Sequence, residues 1–327
     1  MSFFCCNFAG GIIKVNYKRM KKVFFLAMTA IAMILVSCKE NEPSVINYNT
    51  YITVASSSDL IPGELAGDFS VSVDKRVHFS KGNLQYNAAQ RVWRFAEHQY
   101  DTIGKIGNAN IAEDYDGYID LFGWATSGFN GWTTWMTSTT STNYGNGTND
   151  LAGTSYEWGL YNAIRNGGNE THLWRTPTGD EWRYLFYERA NAQNLLALGS
   201  VNGINGAILL PDGWILPEGV TFNPSTANGL VWQSSYYKNT SSSADHYADN
   251  AYTLADWAKM EANGAVFLPA AGWRDGTTIN HMGTKGYYWS ASQSGSSAAY
   301  EVDFSKTILD PKDANYRRYG CSVRLVR

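Results

Sequence analysis

The sequence predicts an α+β fold built from small antiparallel sheets, two main helices and long loops. Three observations support this class. Short segments alternate apolar and polar residues at the strand period, and two helix starts carry capping residues. Aromatic residues make up 14% of the chain and 31 of its 327 residues are glycine. Such a composition is typical of loop-rich domains that are held together by ring packing, and not of helical bundles.

Strand patterns occur along most of the chain. Residues 84–86 and 92–95 flank the turn residues 87–90, which predicts an antiparallel hairpin. Residues 69–79 alternate in parts. Two apolar runs end at breakers, residues 207–210 before Pro211 and residues 265–268 before Pro269, and both are typical of buried strands.

Two helices are predicted from their N-terminal caps. Thr178 and Glu181 form a capping box after Pro177, and apolar residues follow at helical spacing. Thr253 and Asp256 precede a second helix, which ends near Asn263 and Gly264. Residues 101–175, rich in glycine, asparagine, threonine and tryptophan, are expected to be mostly long loops.

The N-terminal region combines a basic pair with an apolar run. Lys21 and Lys22 precede an apolar run at 23–36, which would span about 21 Å as a helix, short of the roughly 30 Å of a bilayer core. A signal peptide is therefore expected at 20–37, after an extension at 1–19 from a mis-assigned start codon. Residues 35–38 resemble a lipobox, which implies acylation of Cys38.

Residues 38–66 are expected to tether the domain, which occupies residues 67–327. Serine, asparagine, threonine and proline are frequent in this segment, as in flexible linkers. Residues 39–42 are similar to the export motif of Bacteroidetes surface lipoproteins, which implies an outer-membrane lipoprotein exposed at the cell surface. The alternation at 45–54 leaves open a second interpretation, a pairing strand of a fimbrial tip subunit.

The C-terminal segment combines a regular strand pattern with an irregular polar stretch. Tyr300, Val302 and Phe304 are expected on a core face, with Glu301, Asp303 and Ser305 on a free face. Residues 321–327 alternate again, so two strands are expected to enclose the polar residues 305–318. Periodicity alone allows either an ordinary solvated hairpin or a ligand-binding face.

Seven ordered motifs resemble one family. They lie at residues 77–86, 119–124, 174–182, 209–214, 266–273, 286–290 and 322–327. Together they are similar to the major paralogous domain of Bacteroidetes and Fibrobacter lipoproteins, a C-type-lectin-like fold of the formylglycine-generating type. The resemblance covers residues 67–327 and includes targets of diversity-generating retroelements. In those targets the segment before a closing Ser-Val-Arg-Leu-Val motif binds ligands.

The resemblance implies a ligand-binding face with thirteen residues: Gln293, Ser294, Ser297, Glu301, Asp303, Ser305, Thr307, Asp310, Asp313, Asn315, Tyr316, Arg318 and Cys321. Trp273 and Trp289 flank this face and are added to the site, because they could stack on a sugar or peptide; otherwise they are core residues. Diversified segments are usually rich in asparagine-derived residues, whereas Asn315 is the one asparagine retained between residues 286 and 327. The template therefore differs, or this copy is not diversified.

Catalysis is not expected. Formylglycine-generating enzymes bind copper through two cysteines, and Cys321 is the one cysteine after Cys38. Asp114, Asp116 and Asp120 lack the full calcium-loop pattern, so solvated turn carboxylates are favoured over a metal site, and no cofactor is expected. A glycan-active enzyme with paired carboxylates remains a lesser alternative.

The charge pattern constrains the partners. A net charge of -3 offers no basic surface for nucleic acid. Acidic and basic residues are mixed within residues 301–327, so this segment does not favour a polyanionic ligand. The expected partner is a surface protein or glycan of host, bacterial or phage origin. The sequence makes no prediction of oligomeric state.

Overall fold

The computed structural model describes residues 60–241 and 243–327. In chain order, the strands are β1 Phe69–Ser70, β2 Arg76–Val77, β3 Leu84–Asn87, β4 Val92–Phe95, β5 Tyr118–Ile119, β6 Leu196–Val201, β7 Ile204–Leu209, β8 Val231–Trp232, β9 Tyr237–Lys238, β10 Ala251–Tyr252, β11 Val266–Pro269, β12 Trp273–Asp275, β13 Thr278–Asn280, β14 Lys285–Gln293, β15 Ala298–Ser305 and β16 Ile308–Tyr316. The α-helices are α1 Gly104–Ala109, α2 Gly179–Arg183 and α3 Leu254–Ala262. Small sheets with few helices agree with the predicted α+β class.

The strands form five sheets within the described residues. A five-stranded sheet has the order β14-β15-β16-β9-β8, and a four-stranded sheet has the order β10-β6-β7-β11. A three-stranded sheet, β4-β3-β5, contains the predicted hairpin, with Leu84 opposite Phe95. The pairs β1-β2 and β12-β13 complete the set. The two predicted apolar runs are confirmed as strands, since they form β7 and β11 and pair with each other.

Both predicted helix starts are confirmed. Thr178 accepts a hydrogen bond from the backbone of Glu181, whose side chain accepts from the backbone of Thr178 in return. Helix α2 then widens into a π-type turn at Tyr184–Glu188. Thr253 caps α3 without this reciprocal bond: its hydroxyl accepts from the backbone of Asp256 and donates to the Asp256 carboxylate. Helix α1 falls in a region predicted as loop, because its sequence carries neither a side-chain cap nor an acidic first turn.

Three apolar clusters hold these elements together. The first lies between the four- and five-stranded sheets and contains Phe79, Trp182 and Phe304. The second contains residues of the β3–β4 hairpin, Trp289 of β14, and Trp124 in the loop after β5. The third packs α3 on the other side of the four-stranded sheet. Since β14 and β15 contribute to both the first and the second cluster, the five-stranded sheet is covered on both faces there.

The long loop region is confirmed over residues 120–178, where the described chain forms isolated bridges and turns in place of strands and helices. The sequence predicts that residues 60–66 belong to the tether, and the structure corrects this boundary. Leu65 is buried in the first cluster, and Glu64 accepts a hydrogen bond from Arg327. The folded domain therefore includes these residues.

The predicted extension at 1–19, signal peptide at 20–37, acylated Cys38 and tether up to residue 59 lie outside the described residues, as does the alternation at 45–54. Among the residues that are described, none of the helices has the length and apolar character needed to cross a bilayer.

Candidate functional site

The predicted site residues fall into three groups by exposure. Trp289, Glu301 and Cys321 are buried, at no more than 1% exposure. Asp313 and Tyr316 are exposed. The other ten are half-buried: Trp273, Gln293, Ser294, Ser297, Asp303, Ser305, Thr307, Asp310, Asn315 and Arg318. A continuous exposed face along β15 is therefore not what the structure shows.

The expected free face of β15 is covered where Glu301 lies. Val302 and Phe304 pack in the first apolar cluster as predicted. The opposite face, with Ala299, packs in the second cluster against residues of the loop after β5. The expectation that Glu301 is solvent-exposed is wrong. The two faces of β15 pack against two different apolar clusters, so the face that holds Glu301 is covered as well.

Glu301 is a buried carboxyl with two polar partners. Its Oε1 accepts a hydrogen bond from Nδ2 of Asn315 at 2.9 Å, and its Oε2 accepts from the thiol of Cys321 at 3.2 Å. Burial raises the pKa of Glu301 to about 8, and the two hydrogen bonds offset only part of that effect. Glu301 is therefore mostly protonated at neutral pH.

Further carboxylates lie beside Glu301 in the β15–β16 hairpin. Glu301 is directly opposite Asp313, and Asp303 is opposite Asp310, with a bulge between the two pairs. Burial raises the pKa of Asp303 to about 6, with Lys285 acting in the opposite direction. Acidic residues directly opposite each other repel when ionised. No set of three or more histidine, cysteine or acidic residues suited to a metal ion occurs in the described chain.

Trp289 and Cys321 are core residues. The indole Nε1 of Trp289 donates to the carbonyl of Phe122 at 2.7 Å, and the ring is fully buried. Stacking of Trp289 on a ligand is therefore excluded in this conformation. Cys321 is buried in the same cluster, where burial and the neighbouring Glu301 raise its thiol pKa. Neither residue belongs to an accessible face.

Two of the half-buried residues open onto a cavity of about 460 Å³. Ser305 and Thr307 line it together with Lys285, Lys306 and Tyr247. The predicted polar stretch is thus divided. Its first part, at the turn between β15 and β16, faces this cavity, and its last part lies at the other end of β16.

Four side chains at that other end form a continuous, partly exposed surface. We call Trp273, Tyr316, Arg318 and Tyr319 the aromatic–arginine patch. The guanidinium of Arg318 lies 4.3 Å from the ring centre of Tyr316 and 4.8 Å from that of Tyr319. The ring centres of Tyr319 and Trp273 are 4.2 Å apart. Tyr316 is 48% exposed, so the patch offers ring surface and a cation to solvent.

Arg317 fixes the chain beneath the patch. Its side chain is 1% exposed and donates to four backbone carbonyls, those of Tyr144, Gly147, Gly295 and Ala298. These carbonyls belong to the loop after β5, to the turn between β14 and β15, and to the first residue of β15. Because Arg317 points inward, its neighbours Tyr316 and Arg318 are held at the surface.

A pair of backbone hydrogen bonds holds Trp273 against Tyr319. Arg274 and Gly320 exchange two backbone hydrogen bonds of 2.8 Å, which join β12 to the C-terminal segment. A Cβ atom at position 320 would lie 2.8 Å from Nε of Arg274, so this approach requires glycine. The patch is thus assembled from two distant parts of the sequence.

The patch contains three predicted residues and one that sequence reasoning missed. Trp273, Tyr316 and Arg318 were expected at the site, whereas Tyr319 and the supporting Arg317 were not. The run Tyr316-Arg-Arg-Tyr319 does indicate a binding surface, because tyrosine and arginine are enriched where proteins bind one another. Which of the two arginines points outward could not be read from the run.

A family model described as a domain of unknown function, DUF8237, matches residues 232–326. The chain is similar to this family from the second residue of β8 onward, a region that includes the whole aromatic–arginine patch. No curated protein and no solved structure matches the chain.

Proposed function

We propose that this protein is a recognition protein of the bacterial surface, which binds a surface protein or glycan of host, bacterial or phage origin through the aromatic–arginine patch. The observation that carries the proposal is the patch itself. Aromatic rings and an arginine meet in one partly exposed surface, and these residue types dominate the energetics of protein interfaces.

Rigidity of the patch supports the same proposal. Tyr316 and Arg318 flank a buried arginine with four carbonyl partners, and Tyr319 packs on Trp273. Side chains that are already ordered lose little conformational entropy on binding, so more of the contact energy appears as affinity. A ligand would meet a preformed surface.

The proposal extends to the fold and the anchor. We assign residues 60–327 a C-type-lectin-like fold, on the basis of the seven motifs together with small sheets, two capped helices and a long loop region. Acylation at Cys38 would anchor the protein in the outer membrane. Binding, and not catalysis, is the proposed activity, and retroelement diversification of the C-terminal segment stays a hypothesis.

Substitution in the patch tests the proposal. The variant carrying Tyr316→Ala and Arg318→Ala should lose binding to cultured epithelial and bacterial cells and to immobilised surface glycans. Its stability should change by no more than about 0.5 kcal/mol per substitution, because neither side chain is buried.

A matched control carries Tyr187→Ala and Arg183→Ala, which remove a partly exposed tyrosine and arginine elsewhere. This control should bind as the wild type does. The proposal is refuted if both double variants bind equally well to every surface that the wild type recognises, or if the wild type recognises none of these surfaces.

A further inference from the structure

A separate cavity of about 370 Å³ lies where the β3–β4 hairpin meets two loops of the long loop region. We call it the loop cavity, and its lining includes Trp93, Phe129, Tyr161, Asn162 and Arg91. Its volume falls in the range of about 300–1,000 Å³ that is typical of small-molecule sites. It shares no lining residue with the aromatic–arginine patch.

Aromatic rings form much of the wall, and two of them are unusually exposed. Phe129 is 38% exposed and Tyr161 is 40% exposed, with their ring centres 6.1 Å apart at an angle of 62°. The imidazole of His172 packs against Tyr161 at 4.9 Å. Below them, Trp93 and Tyr86 pack together at 4.4 Å. The exposed rings are thus held in place by ring neighbours while leaving surface free for a ligand.

Polar atoms are placed among these rings. Both amide hydrogens of Asn162 are donated to backbone carbonyls, those of Ser127 and Trp158, at 3.0 and 2.9 Å. This fixes the side chain and leaves its Oδ1 as the atom that can accept from a ligand. The hydroxyl of Ser127 is fixed in turn by donating to the carbonyl of Ser155.

The loop cavity has little net charge. Arg91 is the one charged side chain among the described residues that line it. Its guanidinium lies 3.7 Å from the carboxylate of Glu113, and both side chains are well exposed. An anionic ligand would gain little binding energy from Arg91, because Glu113 already pairs with this cation and water screens both charges.

We propose that the loop cavity binds a neutral saccharide, as a terminal sugar or a short stretch of a glycan chain. A pyranose ring presents an apolar C–H face that packs on an aromatic ring, and its hydroxyl groups both donate and accept hydrogen bonds. The cavity supplies exposed ring surface, fixed amide and hydroxyl groups, and near-neutral charge. A purely apolar ligand, such as a buried peptide side chain, would cover Oδ1 of Asn162 without offering it a donor.

Calorimetric titration of the full chain tests this site. The probes are neutral oligosaccharides that end in galactose, glucose, mannose, fucose or N-acetylglucosamine. At least one should bind the wild type. Tyr161→Ala should weaken that binding by about tenfold or more, as expected for the loss of one well-placed aromatic contact. Tyr161→Phe, which keeps the ring, should retain most of it.

Two further variants locate the binding. Ala163→Trp fills the cavity from an exposed position without removing a packed side chain, and should abolish binding. Tyr187→Ala removes a tyrosine of the same 40% exposure elsewhere and should have no effect. The inference is overturned if no neutral oligosaccharide binds, or if both Tyr161→Ala and Ala163→Trp bind as the wild type does.

Discussion

Replacing Glu301 with glutamine is expected to remove a pH-dependent loss of stability. Burial raises the pKa of Glu301 from its ordinary 4.5 to about 8. Between these pH values the unfolded chain releases a proton that the folded chain keeps, so the folded state loses stability as the pH rises. At about 1.4 kcal/mol for each pH unit, the loss reaches about 4 kcal/mol at pH 8, where the folded carboxyl is itself half ionised.

Glutamine preserves the contacts of the protonated side chain. Its carbonyl oxygen can accept from Asn315 as Oε1 does, and its amide can donate to the sulfur of Cys321, which accepts weakly. The variant is neutral at every pH. Comparing it with the wild type therefore isolates Glu301 from Asp120 and Asp303, whose pKa values are also raised by burial.

The assay is urea unfolding followed by tryptophan fluorescence between pH 5 and pH 8. The wild type should lose several kcal/mol relative to Glu301→Gln across this range, and the two should be similar at pH 5. Glu113→Gln serves as the control, because it removes an exposed carboxylate that does not act on the pKa of Glu301. Equal pH slopes for the wild type and Glu301→Gln would refute the buried, protonated state.

Two other outcomes are expected. Arg317→Lys should cost about 3 kcal/mol and disorder the aromatic–arginine patch, because one ammonium cannot reach the four carbonyls that the guanidinium spans. Urea unfolding together with the binding assay checks it, and unchanged stability would contradict it. Cys38→Ser should release the protein from the membrane fraction if Cys38 is acylated, as cell fractionation would measure; retention in the membrane would contradict the anchor.

The features that sequence predicted well are those set by local chemistry. The capping residues Thr178 and Thr253 lie next to the helices that they start, so their pattern specifies the helix without distant contacts. The same holds for the β3–β4 hairpin and its turn. Helix α1 is not predicted, because no side-chain cap marks its start. The place of residues 60–66 in the domain is not predicted either, because Glu64 contacts His78 and, 263 residues later, Arg327.

The candidate site was harder to predict, because its exposure is decided by distant residues. Alternation in β15 indicated that Glu301 and Val302 face opposite sides of a sheet, and they do. It could not indicate that Phe122 and Trp124, more than 170 residues earlier, cover the side that holds Glu301. Replacing Glu301, Asp303 and Ser305 together would therefore disturb the interior as well as any binding face.

Buried arginines explain how a chain with so much irregular structure holds a defined surface. Arg274 donates to the carbonyls of Leu121, Met136 and Gly276, and Arg317 to four others. Burial lowers the pKa of Arg274 to about 10, because removing its charge from water costs free energy. That cost is offset by backbone carbonyls that would otherwise lack partners in the interior. Since both arginines adjoin patch residues, the contacts that order the loops also set the geometry of the proposed binding surface.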